Sequence, residues 1–292
     1  GIFAINELPD LSERIQVGLL NVLEERDVQI RGYKIRLPLD VLLVASANPE
    51  DYTNRGRIIT PLKDRFGSQI RTHYPLETDT EVRIVRQEAR PPSVGDVEVV
   101  VPEYLERVVA TFSQLARGSS QVNQRSGVSV RLSVSNFEVM AANALRRGLK
   151  LGEKYVVPRV CDLDAFAASS GGKIEIEALE DGREGQVLRD LVKSAVLTVY
   201  KDVVRPELAR DVVTAFEEGA IVSTGEDVPS ATQAALAEQI PALKPVVSPL
   251  VGSDTSAAAT AAAVEFILEG LHLSKRLNKD TSAASGGTYR AR

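Results

Sequence analysis

The chain has 292 residues, 43% hydrophobic and 26% charged, enough apolar material for a sizeable core and two units. Its 35 basic and 40 acidic residues leave a net charge of −5, so bulk electrostatic attraction to nucleic acid is not expected, which leaves only local patches open. The single Cys161 excludes an internal disulfide, His73 and His272 supply no Cys/His cluster of zinc spacing, and no apolar run approaches the roughly 18 residues that span a bilayer, which makes a cytoplasmic location the default.

Residues 1–7, GIFAINE, read as an apolar strand ending in the polar pair Asn6-Glu7, and VLLVASA at 41–47 reads as a second one ending at Asn48 before Pro49. Buried strands that deliver polar groups at their carboxyl ends build the rim site of an open α/β sheet. Between them, Asp10 and Glu13 have the spacing of a helix-start capping pair. Ile15, Leu19, Val22 and Leu23 follow at helical intervals, which predicts a helix over 11–25 packed on the sheet. DVQIRGYKIRLPLD at 27–40 alternates on both sides of Gly32-Tyr33 and predicts a β-hairpin with Arg31, Tyr33 and Lys34 at its tip. TPLKDRFG at 60–67 sets Asp64 and Arg65 between the apolar anchors Leu62 and Phe66, and the sheet is expected to finish near 70–74.

From there the pattern is helical. Thr78-x-x-Glu81 has capping spacing ahead of Val82, Val85 and Ala89, and 102–118 and 134–148 show three-to-four periodicity around a polar stretch at 119–127. A turn at 155–158 leads to a helix over 160–168, with further helices over 184–200 and 206–218. The segment 224–256 mixes Pro, Ala, Ser and Gly and reads as a partly extended linker. Residues 257–277 read as an Ala-rich amphipathic helix with Val264, Ile267, Leu268 and Leu271 on one face, docking on a partner or back on the preceding helices. The end of the chain, SGGTYRAR, is expected to be disordered.

Taken in order, the strand, helix, hairpin, strand and DRF segment of residues 1–75 resemble the Walker B strand, sensor 1 strand and arginine-finger segment of an AAA+ ATPase. The likeness is to the magnesium chelatase motor subunit and MoxR-like branch and extends to about residue 171. It implies an α/β fold: a partial AAA+ αβα core with a pre-sensor 1 hairpin over 1–75, an all-helical lid over 76–178 and a helical extension over 179–223. A linker over 224–256, a C-terminal helix over 257–278 and a disordered tail over 279–292 complete the expected organisation. The phosphate-cradling string GxxxxGK[ST] does not occur, and Gly1 falls inside a strand, so the sequence reads as the carboxyl-terminal part of a longer chain, without Walker A.

The resemblance also implies roles. Glu7 polarises the attacking water, and Asn6, where the family usually has Asp, accepts from a water on magnesium without adding charge. Asn48 stands as sensor 1 between the γ-phosphate and that water, and Arg65 is the finger reaching a neighbouring subunit's nucleotide, oriented by Asp64. Arg131, in GVSVRLS, resembles the sensor 2 arginine of the lid, with Arg125 as its rival. Each also has a plain structural reading: a strand cap before the Pro9 turn, an Asn-Pro turn, a surface Asp–Arg pair, a solvated residue at a helix start. Arg31, Lys34 and Arg36 are either a grip on the channel of a ring or a solvated hairpin face. His272 reads as packed or solvent-facing, and Cys161 as a small core residue.

The function so implied is ATP hydrolysis with Mg2+ at the subunit boundaries of a hexameric ring, driving remodelling of a partner protein, of metal-binding or von Willebrand A type, or assisting metal insertion. Two other readings stay open: a non-hydrolysing scaffold that keeps the AAA+ shape, which Asn6 and the missing phosphate loop both permit, and a nucleic-acid motor using the hairpin, against which the acidity counts. In isolation this chain is expected to bind ATP very weakly and to be inactive.

Overall fold

The computed structural model describes all residues except 26, 31–32, 37–39, 49–55, 124–126, 177–182 and 283–285. The chain divides into two units, Gly1–His73 and Tyr74–Arg292.

In the first unit, β1 (Ile2–Ile5) and β4 (Leu42–Ala45) pair in parallel, with Ile2 opposite Leu42 and Ile5 opposite Ala45. The crossover between them carries α1 (Glu13–Leu20), its π-helical continuation Asn21–Glu25, and the antiparallel pair β2 (Asp27–Ile30) and β3 (Tyr33–Arg36), the hairpin expected from the alternation. α2 (Thr60–Lys63) follows, and among the described residues of 70–73 there is no strand.

The sheet is thinly covered. Ile2, Leu42 and Val44 are 77%, 63% and 50% exposed, and the expected apolar stripe of α1 does not close over it, since Ile15 is half-exposed. The buried residue of α1 is instead Gln16, whose Nε2 donates to the carbonyls of Leu11 and Arg57 while its Oε1 accepts the N–H of Ile59. A side-chain amide that meets three backbone groups is satisfied when buried, which no apolar residue at that place would achieve. Gly56 packs on the same turn: a Cβ there would stand 2.1 Å from the carbonyl oxygen of Pro9. The capping pair expected of Asp10 and Glu13 does not form. Asp10 closes the 3-10 turn Leu8–Asp10, and Ser12 occupies the N-cap without a side-chain bond.

The second unit is built on helices α3 (Thr78–Glu88), α4 (Glu103–Gly118), α5 (Val130–Leu151), α6 (Phe166–Ser170), α7 (Glu184–Val203), α8 (Pro206–Glu217), α9 (Ser230–Gln239), α10 (Lys244–Val251) and α11 (Ala257–Leu273). One core runs through them, from Val108, Phe112 and Met140 to Val196, Phe266 and Ile267. Phe112 meets Phe166 edge-on at 5.4 Å.

Four sequence expectations are corrected here. The stretch expected to be an all-helical lid contains a short parallel ladder, β5 (Glu98–Val99) with β6 (Tyr155–Val156). The expected linker over 224–256 is β7 (Val222–Thr224) followed by α9 and α10, with Leu243, Val246 and Val247 buried. Three of its prolines begin helical turns, at the N-cap of α9 and in the first turns at Pro241 and Pro245, where a missing N–H costs nothing, while Pro249 lies inside α10. α11 is a central helix, buried on all sides, and its small alanines let neighbouring helices approach. The expected disordered tail forms β8 (Leu277–Ser282) and β9 (Gly286–Ala291), with β9 central between β7 and β8. Tyr289 of β9 is fully buried and donates its hydroxyl to Glu269 at 2.5 Å. The segments expected as lid, extension, linker, helix and tail are therefore parts of one body.

Candidate functional site

The carboxyl ends of β1 and β4 meet at Ser46. Its N–H donates to the carbonyl of Ile5 at 2.9 Å, its carbonyl accepts from Leu8 N–H at 2.9 Å, and its hydroxyl accepts Glu7 N–H at 3.2 Å and donates to Asn6 Oδ1 at 3.3 Å. Ser46 thus locks the Asn6-Glu7 pair to the second strand, two residues before Asn48. All four residues are exposed.

Glu7 sits in the left-handed region, φ 53° and ψ 50°. For a non-glycine residue this costs about 1–2 kcal/mol, and such strain concentrates at functional positions. The turn places the carboxylate just beyond the strand end, ahead of the buried Leu8 and Pro9. Asn6 and Glu7 together offer one amide and one carboxylate oxygen set, hard donors of the kind that hold a magnesium ion through its waters. Among the described residues no three His, Cys, Asp or Glu side chains converge, so this pair would need oxygens from a bound nucleotide to retain the ion.

Arg65 lies two residues beyond α2, and its Nε donates to Glu24 Oε2 at 2.7 Å, with Nη2 on the same oxygen and Nη1 on the carbonyl of Pro61 at 2.8 Å. Leu62 is fully buried and Phe66 half-buried, so the segment is anchored as its apolar flanks predict. Gln16, bonded to Arg57 and Ile59, fastens the approach to α2.

Arg131 belongs to the second unit, exposed in the first turn of α5, where Ser129 caps the helix by accepting the Arg131 N–H at 3.2 Å. This start is held from below by a pair that sequence reasoning missed. Arg117 reaches both oxygens of the buried Glu81 at 2.6 and 2.8 Å, donates to the carbonyl of Val128 at 2.9 Å and lies 4.8 Å from the Tyr74 ring centre. Ser133 of α5 donates to Glu81 at 2.5 Å. The Thr78-x-x-Glu81 spacing that signals a cap is used for this tertiary bridge instead; Glu77 holds the N-cap without a side-chain bond.

Arg31, Pro49 and Arg125 lie outside the described residues, as do the side chains of Tyr33, Lys34 and Arg36. Cys161 is buried, and burial together with Glu265 and Asp162 pushes its thiol well above the ordinary range, which keeps it from acting as a thiolate. His272 is packed, with Nδ1 3.2 Å from the carbonyl of Leu277 and its ring against Tyr289.

A mixed α/β chain whose parallel strands end in a joined polar rim, followed by a largely helical body, is consistent with part of an AAA+ protein. The sequence is similar to the chaperone MoxR1 of Mycobacterium tuberculosis (strain ATCC 25618 / H37Rv), 28% identical over 176 residues that make up 53% of this chain and 45% of that protein. The similarity supports a relationship to the MoxR-like AAA+ proteins. The chain spans less than half the length of this relative. No protein-family model matches the sequence. Among the described residues no helix is long and apolar enough to cross a membrane.

Proposed function

We propose that this chain is part of a MoxR-like AAA+ ATPase with a chaperone-like role, working as a ring, hexameric by family resemblance, whose subunits share nucleotide sites. The observation that carries this reading is the Ser46 junction, which joins the Asn6-Glu7 turn to the strand leading to Asn48. Bound ATP would supply the scissile phosphate, and its magnesium ion the charge neutralisation. Toward that reaction, Glu7 accepts a proton from the attacking water and Asn48 orients it, while Asn6 supports the ion's water shell. Arg131 serves as sensor 2 in the same subunit. Arg65 acts on the neighbour's nucleotide, where such a finger is worth roughly 10³–10⁵ in rate.

The bare apolar faces of β1 and β4 support a further part of this reading: strands and a phosphate-binding loop from residues outside this sequence cover them. The test is ATP hydrolysis, read as phosphate release, by protein that includes those residues. Turnover lost in Glu7→Gln with ATP binding kept supports the assignment, and near-normal turnover in that variant removes it.

A specific observation favours a second reading, the non-hydrolysing scaffold: Arg65 is engaged by Glu24 of its own unit, and Asn6 brings no charge. The client, whether a metal-binding or von Willebrand A-type protein, and any role in metal insertion stand on family resemblance alone.

A further inference from the structure

In the second unit, a cavity of about 370 Å³ opens between the carboxyl-terminal part of α7, the start of α8 and the turn that follows α11. Leu197, Val204, Pro206 and Leu273 give it an apolar floor, and Lys201, Lys275 and Arg276 stand on its lining, which holds no carboxylate among the described residues. All three cations are exposed, and none makes an ion pair among those found for the described residues, while the neighbouring Asp202 is taken by Arg107 at 2.5 Å. The turn is fixed: Lys275 holds φ 60°, and its carbonyl accepts from Arg292 at 2.9 Å.

Tyr200 also lines the cavity. It is 5% exposed, and its hydroxyl, closed off from solvent, has no hydrogen-bond partner among the described residues. The ring is pinned against α11 at Gly270, where a Cβ would stand 2.0 Å from it, and packs near Phe266. Burial pushes the phenol up to about 12, against the opposing pull of the Arg276 charge, so the hydroxyl remains a donor at neutral pH.

We propose that this pocket binds the carboxyl-terminal residue of a polypeptide whose last side chain is apolar, the side chain filling the floor and the terminal carboxylate meeting Arg276 and the lysines. The volume is at the lower end for ligand pockets, the size for one large side chain more than for a long acyl chain, and the open mouth leaves room for the preceding residues. An arginine fork is matched to a carboxylate, and apolar walls around the pair strengthen it. The inference is independent of the ATPase reading.

The test is fluorescence anisotropy of the 292-residue chain with a labelled short peptide ending in Leu with a free carboxylate, the same peptide amidated, and unlabelled octanoate as competitor. The free-acid peptide should bind saturably, and amidation should weaken it about ten- to hundredfold. Arg276→Glu should do the same. Equal affinity for acid and amide, or no saturable binding of any probe, would overturn the proposal. Octanoate competing while the free-acid peptide fails to bind would overturn the polypeptide source.

Discussion

Arg65 and Glu24 are held together within one unit, the guanidinium sharing a single carboxylate oxygen through Nε and Nη2. The side chains are 32% and 58% exposed, so the pair is worth no more than about 0–1 kcal/mol and releases easily. Glu24→Gln should therefore leave the urea midpoint almost unchanged. If Arg65 must leave Glu24 to reach a neighbouring nucleotide, phosphate release by the complete protein should rise or stay level in this variant. A fall in turnover would mean that Glu24 presents the arginine instead of storing it.

Glu7 trades stability for position. Replacing it with Gly relieves a left-handed conformation and should raise stability slightly, by up to about 1 kcal/mol after the entropy of the glycine is counted, while hydrolysis is lost. Denaturant melts and phosphate release on the same preparation would check both halves.

The Glu81–Arg117 pair is buried and carries the start of α5. Arg117→Met leaves the Glu81 charge and the Val128 carbonyl without their partner, and should cost about 3–5 kcal/mol in urea unfolding of the second unit. Arg131→Ala, exposed on the same helix turn, should cost well under about 0.5 kcal/mol.

Glu265 provides a pH signature. Burial raises its carboxyl above the ordinary 4.5, helped by Asp162 and opposed by Arg159, the Cys161 N–H and Arg147. A carboxyl raised in the folded state contributes stability that is fully present below the unfolded pKa and is lost as pH rises through the folded value. The urea midpoint of the natural chain should therefore fall, relative to that of Glu265→Gln, as pH is raised from about 4.5. Parallel pH profiles for the two chains would contradict a Glu265 carboxyl raised by burial.

How much of this was legible in the sequence depends on whether the deciding interaction is local. The apolar runs of β1 and β4, the alternation of β2 and β3 and the anchors Leu62 and Phe66 mark themselves by pattern, and those elements form where expected. Ser46 does not: a serine near the end of an apolar strand has no signature until the parallel register brings it against Asn6 and Glu7. Gln16 breaks the apolar stripe, and only the distant Arg57 and Ile59 explain its burial. Glu81 satisfies a local capping pattern and a tertiary pair equally well on paper, and Arg117 decides between them. Pro229, Pro241 and Pro245 and the glycines of the tail have loop composition, yet helix-start geometry and pairing with β7 override it.

In the proposed ring a nucleotide site is shared between subunits, with Glu7 from one and Arg65 from the next. The direct measurement is phosphate release by a mixture of Arg65→Ala and Glu7→Gln subunits of the complete protein, each inactive alone and shown to co-assemble. A boundary where intact Glu7 meets intact Arg65 from its Glu7→Gln neighbour should hydrolyse ATP, so activity should return in the mixture. A mixture as inactive as its components would contradict the shared site.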